Sequence, residues 1–204
     1  KTFTNIGLQW YEVIVEADTS RAVPTIEIVW LPDAAIKEAK ERIRATLRNV
    51  WVDLPQKKII LNLAPSDIRK VGTRFDLPMA VAILLLSYNG HISYREQVEK
   101  SIFLGELGLD GSVKRVSGLL PSVISAVRQW YKTFFVPEEN LYELQYIPYI
   151  TIYPIRHFQQ ICDYCINEKE LRVHTTDMQP ITEMKDIDTH MIDFQQIKWH
   201  VIAK

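Results

Sequence analysis

Residues with the means to do chemistry gather in three places. The loop Arg69-Lys70-Val71-Gly72-Thr73-Arg74 sets three cations within six positions, and Asp76 follows two residues later. Glu106, Lys114 and Arg115 lie on a stretch whose Asp110-Gly111 pair signals a tight hairpin turn. The five cations Arg69, Lys70, Arg74, Lys114 and Arg115 are candidates for phosphate contacts, although no aromatic residues alternate with them as single-stranded nucleic acid favours. A solvated loop is the simpler expectation for them. Asp76 stands just before Leu77-Pro78 and fits a helix cap, with proline in its favoured first turn. Arg74 is then expected to pair with Asp76 or Glu106.

The third place is Cys162-x-x-Cys165. A structural zinc site needs four ligands, and no second cysteine pair exists to complete one. Phe158, Ile161, Cys162 and Cys165 share one helical face, so the thiols read as small core hydrophobes rather than as metal ligands or a redox pair.

These groups need a framework to hold them. The chain has 204 residues, 47% hydrophobic and 24% charged, enough for one full domain with a core and an appended tail. Its net charge of −1 gives no global basic field, so a DNA contact has to come from a local patch. No run of 18 or more apolar residues and no signal-peptide pattern occurs, which makes a cytoplasmic location without membrane contact the expectation. Lys1 in place of an initiator methionine suggests a trimmed sequence.

"YEVIVEA" and "TIEIVW" are strand-like, joined by "DTSRAVP" as a hairpin or sheet edge. Asp33 is a good N-cap for a helix whose Ile36, Ala39, Ile43 and Leu47 repeat at helical spacing, with Glu38 four residues before Arg42. "KKIILNLAP" is a nearly continuous apolar strand, which predicts burial on both faces. A strongly apolar helix "RFDLPMAVAILLLSY", the hairpin, a helix "GLLPSVISAVRQ", a strand "TFFVP", a short helix "EENLYELQYI" and a strand "YITIYP" follow. The order implies an α/β (α+β) fold, a mixed sheet covered by helices. Residues 1–168 read as this domain, 169–190 as a polar linker, and 191–204 as the opening of a further element.

Three stretches carry a resemblance. "IEIVWLPDAAIKEAKERIRATLRN", "IILNLAPSDIRKVGTRFDLPMAVAIL" and "IFLGELGLDGSVKRVSGLLPSV" resemble, in order and spacing, the N-terminal domain of the magnesium-chelatase-related YifB/ComM ATPases. The resemblance covers roughly residues 2–166. It implies a Lon-protease-like, ribosomal protein S5 domain 2-like fold that precedes an AAA+ module acting with ATP and magnesium in DNA uptake and recombination, as a branch-migration helicase. It also implies a homo-oligomeric ring, with DNA as a possible partner. "IDFQQIKWHVIAK" resembles the entry into that module. No G-x-x-x-x-G-K-[ST] phosphate loop occurs in the chain, so no cofactor and no ATP hydrolysis are expected of it alone.

Lon-type peptidases use a serine nucleophile and a desolvated lysine base. The resemblance sets the serine position on Asp76 and the lysine position on Leu120, so neither reacting group is present. A non-catalytic accessory domain is expected, mediating ring, DNA or partner contacts. The alternative is a Lon-type Ser-Lys peptidase. The groove around Arg69, Lys70, Arg74, Asp76, Glu106, Lys114 and Arg115 is either held shut by ion pairs or open to a peptide or partner loop.

Five tryptophans, Trp10, Trp30, Trp51, Trp130 and Trp199, stand where the family pattern has glycine. Trp51 and Trp130 each follow a helix and precede a strand, where a left-handed glycine is expected. Glycine is scarce, 7 of 204 residues, or about 3.4% against a usual ~7%. Reading the five as glycine brings the content close to that norm. The reading that unites them is a gene whose UGA codons stand for glycine.

Overall fold

The computed structural model describes residues 1–6, 9–29, 34–68, 70–88 and 92–176. Arg69, Trp30, Trp199, the Asp33 cap and everything from 177 on, including 191–204, lie outside the described residues.

Two four-stranded sheets and their helices make a mixed α+β fold. The first sheet holds β1 (Thr2–Ile6), β2 (Gln9–Ser20), β3 (Thr25–Val29) and, after α1 (Ala34–Asn49), β4 (Lys58–Ala64), in the order β1-β2-β4-β3. β1 and β2 form an antiparallel hairpin, β4 runs antiparallel to β2, and β3 is parallel to β4. The hairpin expected between β2 and β3 is therefore absent, and β3 takes the sheet-edge alternative. The physical reason is α1, a helical crossover that delivers β4 parallel to β3 and into the gap beside β2.

β4 also departs from expectation, because it is not buried on both faces. Ile59, Leu61 and Leu63 face the core, while Ile60 and Asn62 stay half-exposed, Asn62 donating to Glu16 at 2.8 Å. Helices cover one face of this sheet only. The doubly buried strands belong to the second sheet.

The chain continues through α2 (Asp76–Ser87), α3 (Arg95–Lys100), β5 (Ile102–Phe103), the two-stranded hairpin β6 (Glu106–Leu107) and β7 (Val113–Lys114), and α4 (Leu119–Arg128). It then runs through β8 (Thr133–Pro137), α5 (Leu141–Leu144), β9 (Thr151–Ile155), α6 (Phe158–Ile166) and β10 (His174–Thr175). The second sheet has the order β10-β9-β8-β5 and is parallel from β5 to β9. Phe103, Phe135 and Tyr153 stack on its one face, with successive ring centres 4.5 and 4.6 Å apart. Phe134, Val136 and Ile152 line the other, so this sheet separates two core clusters. The Phe103 N–H donates to the Lys1 carbonyl at 2.9 Å and joins the two sheets through β1.

α1 buries Ile36, Ala39, Ile43 and Leu47, the stripe its spacing predicts. α2 is apolar nearly all round and packs between α1, β2 and the β6–β7 hairpin. α6 places Phe158, Ile161, Cys162 and Cys165 in the first cluster, and burial pushes both thiols up to about 12. β10 falls inside the stretch assigned to a linker. The Tyr149 N–H donates to the Thr176 carbonyl at 2.8 Å and the Thr176 N–H to Ile150 at 3.2 Å, so polar side chains here accompany an edge strand.

Among the described residues, no helix is long and apolar enough to cross a membrane.

Candidate functional site

Asp76 opens α2, yet it does not cap it. No side-chain cap hydrogen bond forms at that terminus. Instead the carboxylate, 1% exposed, accepts Arg42 Nε at 2.6 Å and Arg42 Nη2 at 3.2 Å, and the Leu107 N–H at 3.2 Å. Burial pushes its carboxyl up to about 6, with Arg42 and the Leu107 N–H pulling the other way. The hydrogen bonds that Arg42 donates to Asp76 likewise raise the pKa of its guanidinium and hold it charged. The expected Arg74–Asp76 pair is thus an Arg42–Asp76 pair, because Arg42 sits on the side of α1 that faces the start of α2. Arg42 was readable from sequence only as a partner of Glu38, which lies 3.8 Å away. A contact across 34 residues has no local signal.

The same face of α1 continues the grip. Thr46 Oγ1 donates to the Gly108 carbonyl at 3.0 Å and Asn49 Nδ2 to the Leu109 carbonyl at 2.7 Å. Residues 42, 46 and 49 follow one another at helical spacing, so α1 holds α2 and the turn of the β6–β7 hairpin in one clamp.

Arg74 goes elsewhere. Its Nη1 donates to Ser122 Oγ at 3.2 Å and its Nη2 to the Ser117 carbonyl at 2.9 Å, while its guanidinium lies 5.0 Å from the Trp10 ring centre. Burial lowers its pKa from the usual arginine range. Glu106 accepts the Thr73 hydroxyl rather than Arg74. Leu120 packs on the second core cluster, two residues along α4 from the fully buried Ser122, whose hydroxyl donates to the Gly118 carbonyl at 2.8 Å.

The seven candidate groove residues therefore divide. Glu106, Lys114 and Arg115 line one cleft of about 610 Å³ together with Glu138 and Arg156. Arg115 is engaged there, donating to Tyr142 OH at 2.6 Å and to Glu143 at 2.9 Å. Asp76 and Arg74 are structural anchors that do not line this cleft. Lys70 is buried, its ammonium donates to the Pro65 carbonyl, and burial lowers its pKa while Asp67 opposes the shift. Arg69 lies outside the described residues. Among the described residues, Lys70, Arg74, Lys114 and Arg115 do not converge on a single phosphate-sized patch. Chemically, hydroxyls of described residues donate to carboxylates, Thr73 to Glu106 and Ser112 to Asp110 at 2.7 Å, while positions 76 and 120 hold an aspartate and a leucine rather than a serine–lysine pair.

Trp51 and Trp130 occupy left-handed backbone, with φ of 57° and 70°. Each ends its helix in a paired motif: Trp51 N–H donates to Arg48 and Val52 N–H to Leu47, and Trp130 N–H donates to Val127 and Tyr131 N–H to Ala126. That pattern is the Schellman cap, whose left-handed position favours glycine. Both indoles hang in solvent, 90% and 87% exposed.

Residues 15–140 match the family model of subunit ChlI of Mg-chelatase. The chain is 33% identical over 176 residues to an uncharacterised protein of Mycobacterium tuberculosis, covering 85% of this chain and 34% of that protein. It is 32% identical over 159 residues to the uncharacterised protein YifB of Escherichia coli, covering 78% and 31% of the two. It is 38% identical over 122 residues to the competence protein ComM of Haemophilus influenzae, covering 60% and 23%. The chain thus spans about a third or less of the length of these relatives. On the match over residues 15–140 and these identities, the chain belongs to the ChlI/YifB/ComM family.

Proposed function

We propose that this chain is a non-catalytic N-terminal domain of a longer ComM/YifB-type AAA+ ATPase, where it mediates contacts within a ring, with DNA or with a partner protein. ATP and magnesium belong to the ATPase module of that longer protein, and a cytoplasmic location belongs to the same reading. The observation that carries the non-catalytic part is Asp76. At the position the resemblance gives to a nucleophile stands a carboxylate engaged by Arg42 and the Leu107 N–H, which ties helices together and has no reacting partner. At the base position stands Leu120, which is apolar and cannot take a proton.

The test compares the longer protein with a form lacking residues 1–168. ATP hydrolysis retained by both, with ring assembly or DNA binding lost from the shortened form, is the expected result. Equal assembly and equal DNA binding in both forms overturn the proposed role. Casein turnover by this chain that disappears in Asp76→Ala brings back the Ser-Lys peptidase alternative.

The finer reading of the primary structure is that Trp10, Trp30, Trp51, Trp130 and Trp199 are glycines in the native protein, encoded by UGA. It is supported by the left-handed backbone at 51 and 130, where two bulky residues occupy glycine positions and bury nothing. The intact mass of the protein from its native host is expected to be lower than the written sequence by five indole-bearing side chains. A mass that matches five tryptophans ends this reading.

A further inference from the structure

Only the first part of β2 has a neighbour on its β1 side. β1 pairs with residues 9–13 of β2, while β4 pairs with residues 14–20 on the other side. Among the described residues, no strand continues β1 beside β2 past Val13, which leaves an edge of backbone donors and acceptors. A groove of about 300 Å³ runs along that edge. Val15 and Ala17 of β2 and Val81, Ala82, Leu85 and Leu86 of α2 line it. The charged groups that also line it are already paired, Lys1 Nζ with Glu12 at 3.0 Å and Arg95 with Glu99 at 3.1 Å. A charged ligand has no counterion waiting there, whereas an extended apolar chain suits both the lining and the open edge.

The start of β1 opens into this groove. The Lys1 carbonyl accepts from the Phe103 N–H at 2.9 Å and the Lys1 side chain is held by Tyr131 and Glu12, so the α-amino group alone leads onward. Burial pushes that amino group down to about 6, because a charge is held there away from water. The adjoining Thr2 hydroxyl is fully buried and has no hydrogen-bond partner among the described residues. Two polar groups are thus left short at one end of β1, and a peptide unit in place of the ammonium removes the buried charge.

We propose that the groove is a strand slot for the residues that precede Lys1 in the longer protein, which extend β1 and pair with β2 opposite Val15, Glu16 and Ala17. Continuing the register of Thr2 with Val13 sets the three preceding residues at those positions, and the lining that β2 gives the groove ends at Ala17. Residues opposite one another in an antiparallel pair share a face. The first and third residues before Lys1 therefore face α2 with Val15 and Ala17, and apolar side chains belong at those two positions. The proposal rests on the reading of this chain as part of a longer protein. Its test involves neither ring assembly nor DNA, so either can fail alone.

The full chain is prepared with Val-Thr-Val, Thr-Val-Thr or Gly-Ser-Gly ahead of Lys1. Val-Thr-Val is expected to melt about 2–4 °C above Gly-Ser-Gly and to slow amide exchange across residues 14–17 about tenfold. Thr-Val-Thr has a similar strand preference but turns its valine away from α2, and is expected to gain less. Equal melting temperatures for Val-Thr-Val and Gly-Ser-Gly overturn the proposal, as does unchanged exchange at residues 14–17 or an equal gain from Thr-Val-Thr. A chain beginning at Lys1 that dimerises in solution with these amides already protected gives the edge to a second copy, and also overturns it.

Discussion

Arg42 and Asp76 are the residues on which the candidate site turns. Removing one member of a buried ion pair leaves the other charge without compensation, at roughly 3–5 kcal/mol. Arg42→Met is therefore expected to lower the unfolding free energy by that order at pH 7, read by urea denaturation, with a smaller loss for Asp76→Asn. The pH dependence has a defined sign. An ordinary aspartate titrates at about 3.8, and burial raises Asp76 to about 6, so the folded chain holds this proton more tightly than the unfolded one. Its contribution is full below pH 4 and is lost as the pH rises to about 6. Between pH 4 and 6 the protein is expected to lose stability relative to Asp76→Asn, and parallel curves for the two would remove Asp76 as the cause. The residue types of the site were legible in the sequence, but their partners were not. Arg74 stands two positions from Asp76 and yet pairs with Ser117 and Ser122, because the single 3-10 turn Thr73–Phe75 and the start of α2 point these two side chains in different directions.

At the scale of the element, α1 and α4 end alike. Both close in a Schellman cap, and both place tryptophan in its left-handed position. A residue with a Cβ costs about 1–2 kcal/mol there relative to an unstrained conformation. Trp51→Gly and Trp130→Gly are each expected to raise stability by about 1 kcal/mol, additively, since the two lie on separate helices. Trp51→Ala separates strain from exposure: it removes the exposed indole but keeps the Cβ, so it is expected to gain much less than Trp51→Gly. Equal gains from alanine and glycine would assign the effect to the indole. The helix ends were readable from sequence because capping is local. The one-sided burial of β4 is not legible for the opposite reason: an apolar run tells what a strand tolerates, and only the layer above it tells what covers it. β8 and β9, with helices or strands on both sides, are where that rule holds.

At the scale of the whole molecule, the second sheet divides the interior into two clusters, and the chain from 170 to 176 returns to complete its edge. A chain ending at Glu170 loses the β10 hydrogen bonds and the burial of Thr176, and is expected to unfold about 1–2 kcal/mol more easily than one ending at Asp177. Equal stabilities would return these residues to the linker. The sequence by itself determined the local features: the α1 stripe, the hairpin turn at Asp110-Gly111, the buried thiols of α6, the two left-handed helix ends and the family. Each is written in residues close along the chain, where backbone preference and periodicity act. Tertiary structure alone decided that α1 carries β4 between β2 and β3, that Arg42 reaches Asp76 across 34 residues, and that Arg74 faces an aromatic ring. Those outcomes depend on which surfaces meet when the helices pack on the sheets, and no short window of residues encodes that meeting.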